Sequence, residues 1–555
     1  MNDTLSAPVG IVGGGPVGMM LALFLERHGV GAVLFNTEDH SRWHPKGSTH
    51  NSRSMEHYRR LGFSTEVRKL GLPPDHPTDV AYFTRYTGWE MARIALPTES
   101  QRMAAVAASP ATDQVPEPIH RANQMYVEKF LFDRVAVAFL TRRYGWRVSD
   151  MRQDADGVNV AAERVGDGAR EDWRFQYLVG CDGGQSVIRR TLGIRYSGFD
   201  TLEQEFMGGR MIATYLRLPT LLAEVIGRGR RAWQYVSITP GRRMVLVSLD
   251  GKEEFLLFTR APDPNVAPDD DAIRAHVRRA VGADLPVEVL GHNPWTAGAA
   301  LVAERFGQGR VLLAGDAVHL FTPTGGFGMN TGIDDAANLA WKLAATVQGW
   351  GGPHLLGTYE PERRPIAVRN TTAARTLAIT AGEMPVAATI DDDSDAGAAA
   401  RRRFGEFIAS RLGEEFASIG VQLGARYDGS RIVAEDGAPP AADPIVYRPS
   451  SVPGGRAPHV WLGRGRGIGD SLFDQLGRGF TLLCLGARPP DTRALAGAAA
   501  RRGIDLAVLH RADAAARALY ERDVALIRPD QHVAWRGNAL PDDCDRLLAR
   551  VTGYV

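Results

Sequence analysis

Apolar positions along the chain fall into short unbroken runs closed by glycine, and these alternate with stretches of helical period. The first run is Val9-Gly-Ile-Val12. It passes through Gly13 to Gly18 into Met19-Met-Leu-Ala-Leu-Phe-Leu-Glu-Arg27 and then into Ala32-Val-Leu-Phe35. Runs this short, apolar throughout and bounded by glycine, predict strands buried on both faces around a helix. The pattern returns at Tyr177 to Cys181, with a helix beginning at Ser186 to Leu192, and at Gly309 to Gly315, with a helix through Asn338 to Ala344. Ser54 to Leu61 and Tyr126 to Phe132 also predict helices. Arg243 to Leu249 and Glu254 to Thr259 predict a sheet between about 196 and 294, with an amphipathic helix near Asp271 to Val281. Ala381 to Asp395 lacks periodicity and predicts a mobile loop. Five prolines from Pro439 to Pro453 mark an extended linker. After it, strand-like runs at Ala457–Leu462, Phe480–Leu485, Asp505–Leu509 and Val524–Asp530 alternate with helical stretches. No internal repeat is present.

A length of 555 residues predicts about three or four domains. Hydrophobic residues at 44% and charged residues at 23% describe a folded globular chain and exclude a disordered one. With 65 basic and 64 acidic residues, net charge gives no case for nucleic acid or an anionic membrane as partner. Cys181, Cys484 and Cys544 are too widely spaced for a CxxC or zinc signature, and no metal site is expected. The polar N-terminus and the glycines of the first apolar run fit neither a signal peptide nor a membrane span, so a cytoplasmic protein is expected.

Strand, glycine turn, helix, strand is the context in which GxGxxG binds a dinucleotide. Gly13 permits the tight turn, Gly15 lets backbone approach a pyrophosphate, and Gly18 lets helix pack on strand, with Pro16 and Val17 in the same turn. The helix N-terminus then offers free N–H groups to the anion. A carboxylate usually closes the second strand to hold a ribose. Here Asn36 stands there and Glu38 follows, so either can serve.

Two further segments carry chemistry: Cys181-Asp-Gly-Gly-Gln-Ser186, and Ala314-Gly-Asp-Ala-Val-His319 continued by Pro323-Thr-Gly-Gly-Phe-Gly-Met-Asn330. With the first motif they resemble the GxGxxG, DG and GD motifs of the group A flavoprotein aromatic hydroxylases. Nearly the whole chain is similar to their phenol hydroxylase and aromatic polyketide hydroxylase branch. The resemblance implies an α/β fold in which a Rossmann-like, glutathione-reductase-type FAD domain (1–80, 110–195 and 295–385) is interrupted by a β-sheet substrate domain (81–109 and 196–294). A helical linker (386–430) and a thioredoxin-like C-terminal domain without CxxC (431–555) would follow.

The resemblance also implies FAD as cofactor and NADPH or NADH as reductant. Dioxygen would react through a flavin hydroperoxide to hydroxylate a phenolic or polycyclic aromatic substrate, in a chain compatible with a homodimer. Asp316, after Gly315, would accept from a ribityl hydroxyl. Gly326, Gly328, Met329 and Asn330 would bring a glycine loop and helix N–H groups to the pyrimidine edge of the ring. Pro323 would wall the reacting side, and Asp182 would stand near FAD and the nicotinamide passage. By resemblance Lys46 and Arg53 flank FAD, and Arg121 and Gln124 touch its ribityl-phosphate. The aspartate base that phenol hydroxylases proper carry near the Ser48 position is missing. His50, Tyr235 and His292 are then candidates for the proton acceptor, and Trp233 for a stacking wall or plain core. A flavin halogenase is disfavoured by the missing Trp-x-Trp-x-Ile-Pro signature. Baeyer–Villiger or epoxidising chemistry on the same architecture stays open, as does a non-catalytic flavin-binding protein.

Overall fold

The computed structural model describes residues 4–136, 140–202, 204, 208–260 and 269–555. The glycine-closed apolar runs are the centre of an eight-stranded sheet. Leu5–Val12 pairs in parallel with Ala32–Asn36 on one side and Arg170–Gly180 on the other, and Val311–Leu313 extends the sheet in parallel. Helix Pro16–Arg27 buries every residue from Gly18 to Leu25 between that sheet and the long helix Phe327–Val347. At about 1.5–3 kcal/mol for each large side chain removed from water, this layer accounts for much of the domain's cohesion.

The middle of the chain forms a seven-stranded sheet in which Val80–Phe83 and Glu90–Ile94 join strands from 209 to 297. Its side chains alternate with period 2. Val80, Tyr82, Val236, Val245, Val247 and Leu256 share one face. Ala81, Phe83, Tyr235, Met244, Leu246 and Leu257 share the other, against helix Asp270–Val281. Helix Asp395–Arg411 packs Phe404 and Ile408 onto the first face, and Leu412 follows on the same stripe. Residues 383–394 have no regular structure, yet Met384 and Ile390 are buried in that core, which anchors the stretch at both ends and does not support a mobile loop.

The C-terminal sheet runs Leu506–His510, Phe480–Cys484, Val524–Ile527, Val533–Gly537, with one parallel pair and two antiparallel ones. Helix Arg493–Arg502 crosses between the parallel strands and helix Cys544–Val551 closes the chain, the thioredoxin-like order. The run Ala457–Leu462 is not a strand of this sheet. It is buried, and the Trp461 N–H donates to the carbonyl of Ala111 in the other part of the molecule.

Several histidines are held as neutral rings. Burial pushes His50 and the half-buried His28 down to about 3, and His57 and His459 to about 4. The unfolded chain titrates them near 6.5, so between there and their folded values the unfolded state holds more protons. Stability from these residues is full above about pH 6.5 and falls as pH drops, by about 1.4 kcal/mol per pH unit per histidine. A melting-temperature series is expected to decline below about pH 6.5, well before ordinary carboxylates titrate. A flat profile from pH 7 to 5 would contradict it.

Candidate functional site

A cavity of about 580 Å³ opens between the two sheets. One end is built by the first glycine turn. The Gly13 N–H bonds the Phe35 carbonyl and the Cys181 N–H bonds the Val12 carbonyl, which binds the three motif strands into one rim. Gly13 has φ +112°, in the region glycine favours, and a Cβ on Gly18 would stand 2.0 Å from the Gly13 carbonyl oxygen. Gly15 differs: a Cβ there meets nothing within 4 Å, so the turn leaves room beside it where helix Pro16–Arg27 begins. Pro16 and Val17 line the same end.

Asn36 and Glu38 both reach this rim. The Asn36 amide is already engaged, accepting from the Gly14 N–H at 3.0 Å and donating to the Glu38 carbonyl at 3.0 Å. The exposed Glu38 carboxylate is the group left for a ribose hydroxyl. Asp316 lines the cavity, and its carboxylate takes no hydrogen bond from the described residues. Asp182 also lines it, but its carboxylate accepts from Ser186 Oγ (2.5 Å) and the Ile188 N–H (3.1 Å), capping a short helix.

Midway, Gln124 donates to Glu128 at 2.5 Å, and burial raises the Glu128 carboxyl. Lys46 stands beside them on a loop held by Asn123, whose amide donates to the Lys46 carbonyl and to Ser48 Oγ.

At the far end, Pro323 leads into Gly325 and Gly326, both at positive φ (75° and 65°), and helix Phe327–Val347 starts there. Its first N–H groups have no partner within the helix. Gly328 and Met329 line the cavity. Asn330 does not. Its amide is used to clamp the loop, donating to the Thr49 and Gly326 carbonyls and accepting from the Asn51 N–H.

Four sequence candidates lie away from the cavity. Tyr235 faces the opposite side of its sheet, stacked on Phe83, with its hydroxyl accepting from the Ala232 N–H, because alternation sends its neighbour Val236 to the cavity instead. His292 sits opposite Thr214 on a strand covered by helix Asp270–Val281, bonded to Thr214 Oγ1 and Asp270. His50 is sealed beneath the loop against Tyr58. Arg53 points into a buried ion network with Glu56, Asp334 and the Asp530 carbonyl. Gly18 and Gly315 support the rim by close packing and do not face the cavity.

The structure adds one group that sequence patterns do not mark. Glu415 lines the cavity from the segment after helix Asp395–Arg411 and accepts from the Gly325 N–H at 3.1 Å. Burial raises its carboxyl. Trp233 lines the wall, with the Arg121 guanidinium 4.0 Å above its ring. Arg121 also donates to Thr49 Oγ1.

The cavity therefore has a glycine turn with room for a pyrophosphate, two lining carboxylates, Glu38 and Asp316, that take no hydrogen bond from the described residues, and a helix N-terminus beside apolar side chains. These features fit FAD. The chain matches the FAD binding domain family over residues 6–374 and the aromatic-ring hydroxylase C-terminal family over residues 450–554, and it belongs to that family of FAD-dependent aromatic-ring hydroxylases. It is 31% identical to tetracenomycin B2 monooxygenase-dioxygenase of Streptomyces olivaceus, over 100% of this chain and 99% of that one. Among solved structures, RebC with bound 7-carboxy-K252c superimposes with a TM-score of 0.89 at 36% identity, covering both chains in full. Aklavinone-11 hydroxylase with FAD and aklavinone superimposes with a TM-score of 0.79 at 27% identity, also over both full chains. The protein is a flavoprotein monooxygenase.

Proposed function

We propose that this enzyme hydroxylates a fused-ring phenol, with FAD along the cavity and the substrate between the Pro323 loop and the seven-stranded sheet. The single observation that carries the reading is the apolar wall beyond the loop. Tyr82, Trp233, Val236, Val247 and Leu256 give a broad apolar face, with Gln234, Glu415 and Arg121 among the polar groups beside it. The fused-ring ligand of the aklavinone-11 hydroxylase structure supports the size class.

FAD, when bound, supplies the two-electron chemistry that links NADPH or NADH to dioxygen. The chain's own residues position and shield. Gly13 to Gly18 and the N-terminus of helix Pro16–Arg27 would hold the pyrophosphate, Glu38 the ribose and Asp316 a ribityl hydroxyl. Gly328 and Met329 would present N–H groups to the pyrimidine edge, where they stabilise negative charge, while the Gly326 N–H closes the loop on the Pro323 carbonyl. Pro323 gives a stiff wall without a donor. The leucine and valine side chains of the sheet exclude water from the reacting end. Glu415 is the group placed to take the phenolic proton, which raises the nucleophilicity of the ring. Burial raises its carboxyl, against the Gly325 N–H and Arg121, which act in the opposite sense. Among the described residues no helix is long and apolar enough to cross a membrane. A cytoplasmic enzyme, assembled as a homodimer, is part of the same reading.

Anaerobic reduction of the bound flavin by NADPH, with and without a panel of one-ring and fused-ring phenols, tests it. A fused-ring phenol is expected to accelerate bleaching at least tenfold and, once air is admitted to the reduced enzyme, to return a product heavier by one oxygen. Fast reduction with no aromatic present would count against substrate-gated hydroxylation.

A further inference from the structure

The corner of the cavity between the Pro323 loop and the sheet holds more donors than acceptors. Arg121 and Trp233 are 6% and 4% exposed, and both line the cavity. Arg121 Nε and the Trp233 indole Nε1 are buried with no hydrogen-bond partner. Thr49 Oγ1 takes one Arg121 N–H, and no ion pair to Arg121 exists among the described residues. Thr49 fixes where this corner lies. A Cβ on Gly326 would meet Thr49 Cβ at 2.8 Å, so Arg121, Thr49 and the Pro323–Gly326 loop are consecutive neighbours. Glu415, bonded to the Gly325 N–H, flanks the same loop.

A buried guanidinium without a counter-anion is costly, and most such groups are paired. Here burial and the nearby Arg102 pull Arg121 down to about 9, while Glu415 acts in the opposite sense without reaching it. The indole face holds the guanidinium plane in place by cation–π contact. A planar fork held this way meets an oxygen anion with parallel N–H groups, as a flexible ammonium cannot.

We propose that Arg121, backed by Trp233, is the subsite for an anionic oxygen carried on the aromatic substrate, a phenolate or a ring carboxylate. This rests on the aromatic hydroxylase reading and names the substrate class within it. It also moves Arg121 from the ribityl-phosphate, where resemblance places it, to the substrate end. Orientation follows: the anion sits at Arg121, and a second, neutral ring hydroxyl can face Glu415.

The test uses the FAD-loaded, oxidised full-length protein and three probes, 2-naphthol, 2-naphthoate and 2-methoxynaphthalene, followed by their perturbation of the flavin absorption band. Wild type is expected to bind at least one of the two oxygen acids ten or more times tighter than the methyl ether. A naphthol preference that grows with pH assigns phenolate, and a naphthoate preference that is flat above pH 6 assigns carboxylate. Arg121→Met is expected to lose the preference tenfold while leaving 2-methoxynaphthalene unchanged, and Arg121→Lys to recover part of it. FAD content and melting temperature are read for each variant, and the lysine variant carries the test if the methionine variant does not fold. The proposal is overturned if wild type binds the ether as tightly as both acids, or if Arg121→Met weakens all three equally. Loss of FAD from Arg121→Met with the preference intact returns Arg121 to the cofactor and also overturns it. Substrate-stimulated flavin reduction with no preference for acids defeats the subsite alone. Failure of all three probes to bind counts against both the subsite and the aromatic reading.

Discussion

Gly15→Val is expected to fold like wild type and to be isolated without FAD. The backbone at Gly15 is extended, with φ −75° and ψ −178°, a conformation that valine adopts readily. A Cβ there meets no protein atom within 4 Å, so the apo fold gives no reason for the glycine. The reason is the ligand. At the start of helix Pro16–Arg27 the free N–H groups attract a pyrophosphate, and a side chain at Gly15 fills the space it would take. Overpacking of about 1–3 kcal/mol corresponds to a loss of FAD affinity of about 5–150-fold. Gly18→Ala provides the contrast. Its methyl would stand 2.0 Å from the Gly13 carbonyl oxygen, so the turn itself must shift, and both stability and flavin content are expected to fall. Flavin absorbance per protein and melting temperature separate the two cases. Full FAD content in Gly15→Val would show that the dinucleotide does not cross this turn.

The glycine-closed runs made the parallel sheet legible because strands buried on both faces need apolar residues at every position. The GD segment made the flavin end legible because two adjacent left-handed glycines, Gly325 and Gly326, leave few alternatives to a close approach. What was not legible depends on parity and on long-range packing. Tyr235 and Val236 are adjacent in sequence and on opposite faces, and the sheet's partner layers, not its own pattern, decide which face is the cavity. Glu415 sits in a short irregular stretch and reaches the site only because Phe404 and Ile408 dock the preceding helix on the substrate sheet. His50 and Arg53 follow the segment Lys46 to Thr49 that lines the site, but His50 is bridged to His120 and bonded to Tyr58, and Arg53 is bonded to Asp334, so neither lines it. Arg53 was readable as a cation near FAD. It is instead paired with Glu56 and Asp334, and one further partner, the carbonyl of Asp530, lies in the C-terminal domain, where no local signal points.

That distant contact belongs to a buried charge network, and Arg528→Leu is expected to be the most destabilising single change in the C-terminal domain. Arg528 donates to both oxygens of Glu362 at 2.8 Å and to Asp530 at 2.6 Å, and all three side chains are nearly inaccessible. Glu362 also holds Lys342 at 2.7 Å, and Asp530 accepts from Asn338 and the Trp341 indole on the long helix. Arg528 and Lys342 pull the Glu362 carboxyl down to about 2, so its contribution is present above about pH 4.5 and is lost as pH falls through about 2. Removing Arg528 leaves Asp530 without its main counter-charge in a place where water cannot reach it. The usual cost of breaking a buried pair on one side is about 3–5 kcal/mol, a large part of a typical total of about 5–15 kcal/mol. Replacing the partners together is the informative control. Arg528→Met combined with Asp530→Asn removes the stranded charge, leaves the Glu362–Lys342 pair neutral and is expected to recover part of the loss. A melting-temperature drop that is equal in the single and double variants would mean that packing, not charge, holds the domains together. The network also reaches the site, since Asn338 and Trp341 lie on the helix whose first residues, Phe327 to Met329, line the cavity. The C-terminal domain carries no CxxC, and its segment 528–532 is instead the counterpart that fixes this helix from behind. Loosening it is therefore expected to weaken flavin retention along with stability, in a domain that contributes no residue to the cavity wall.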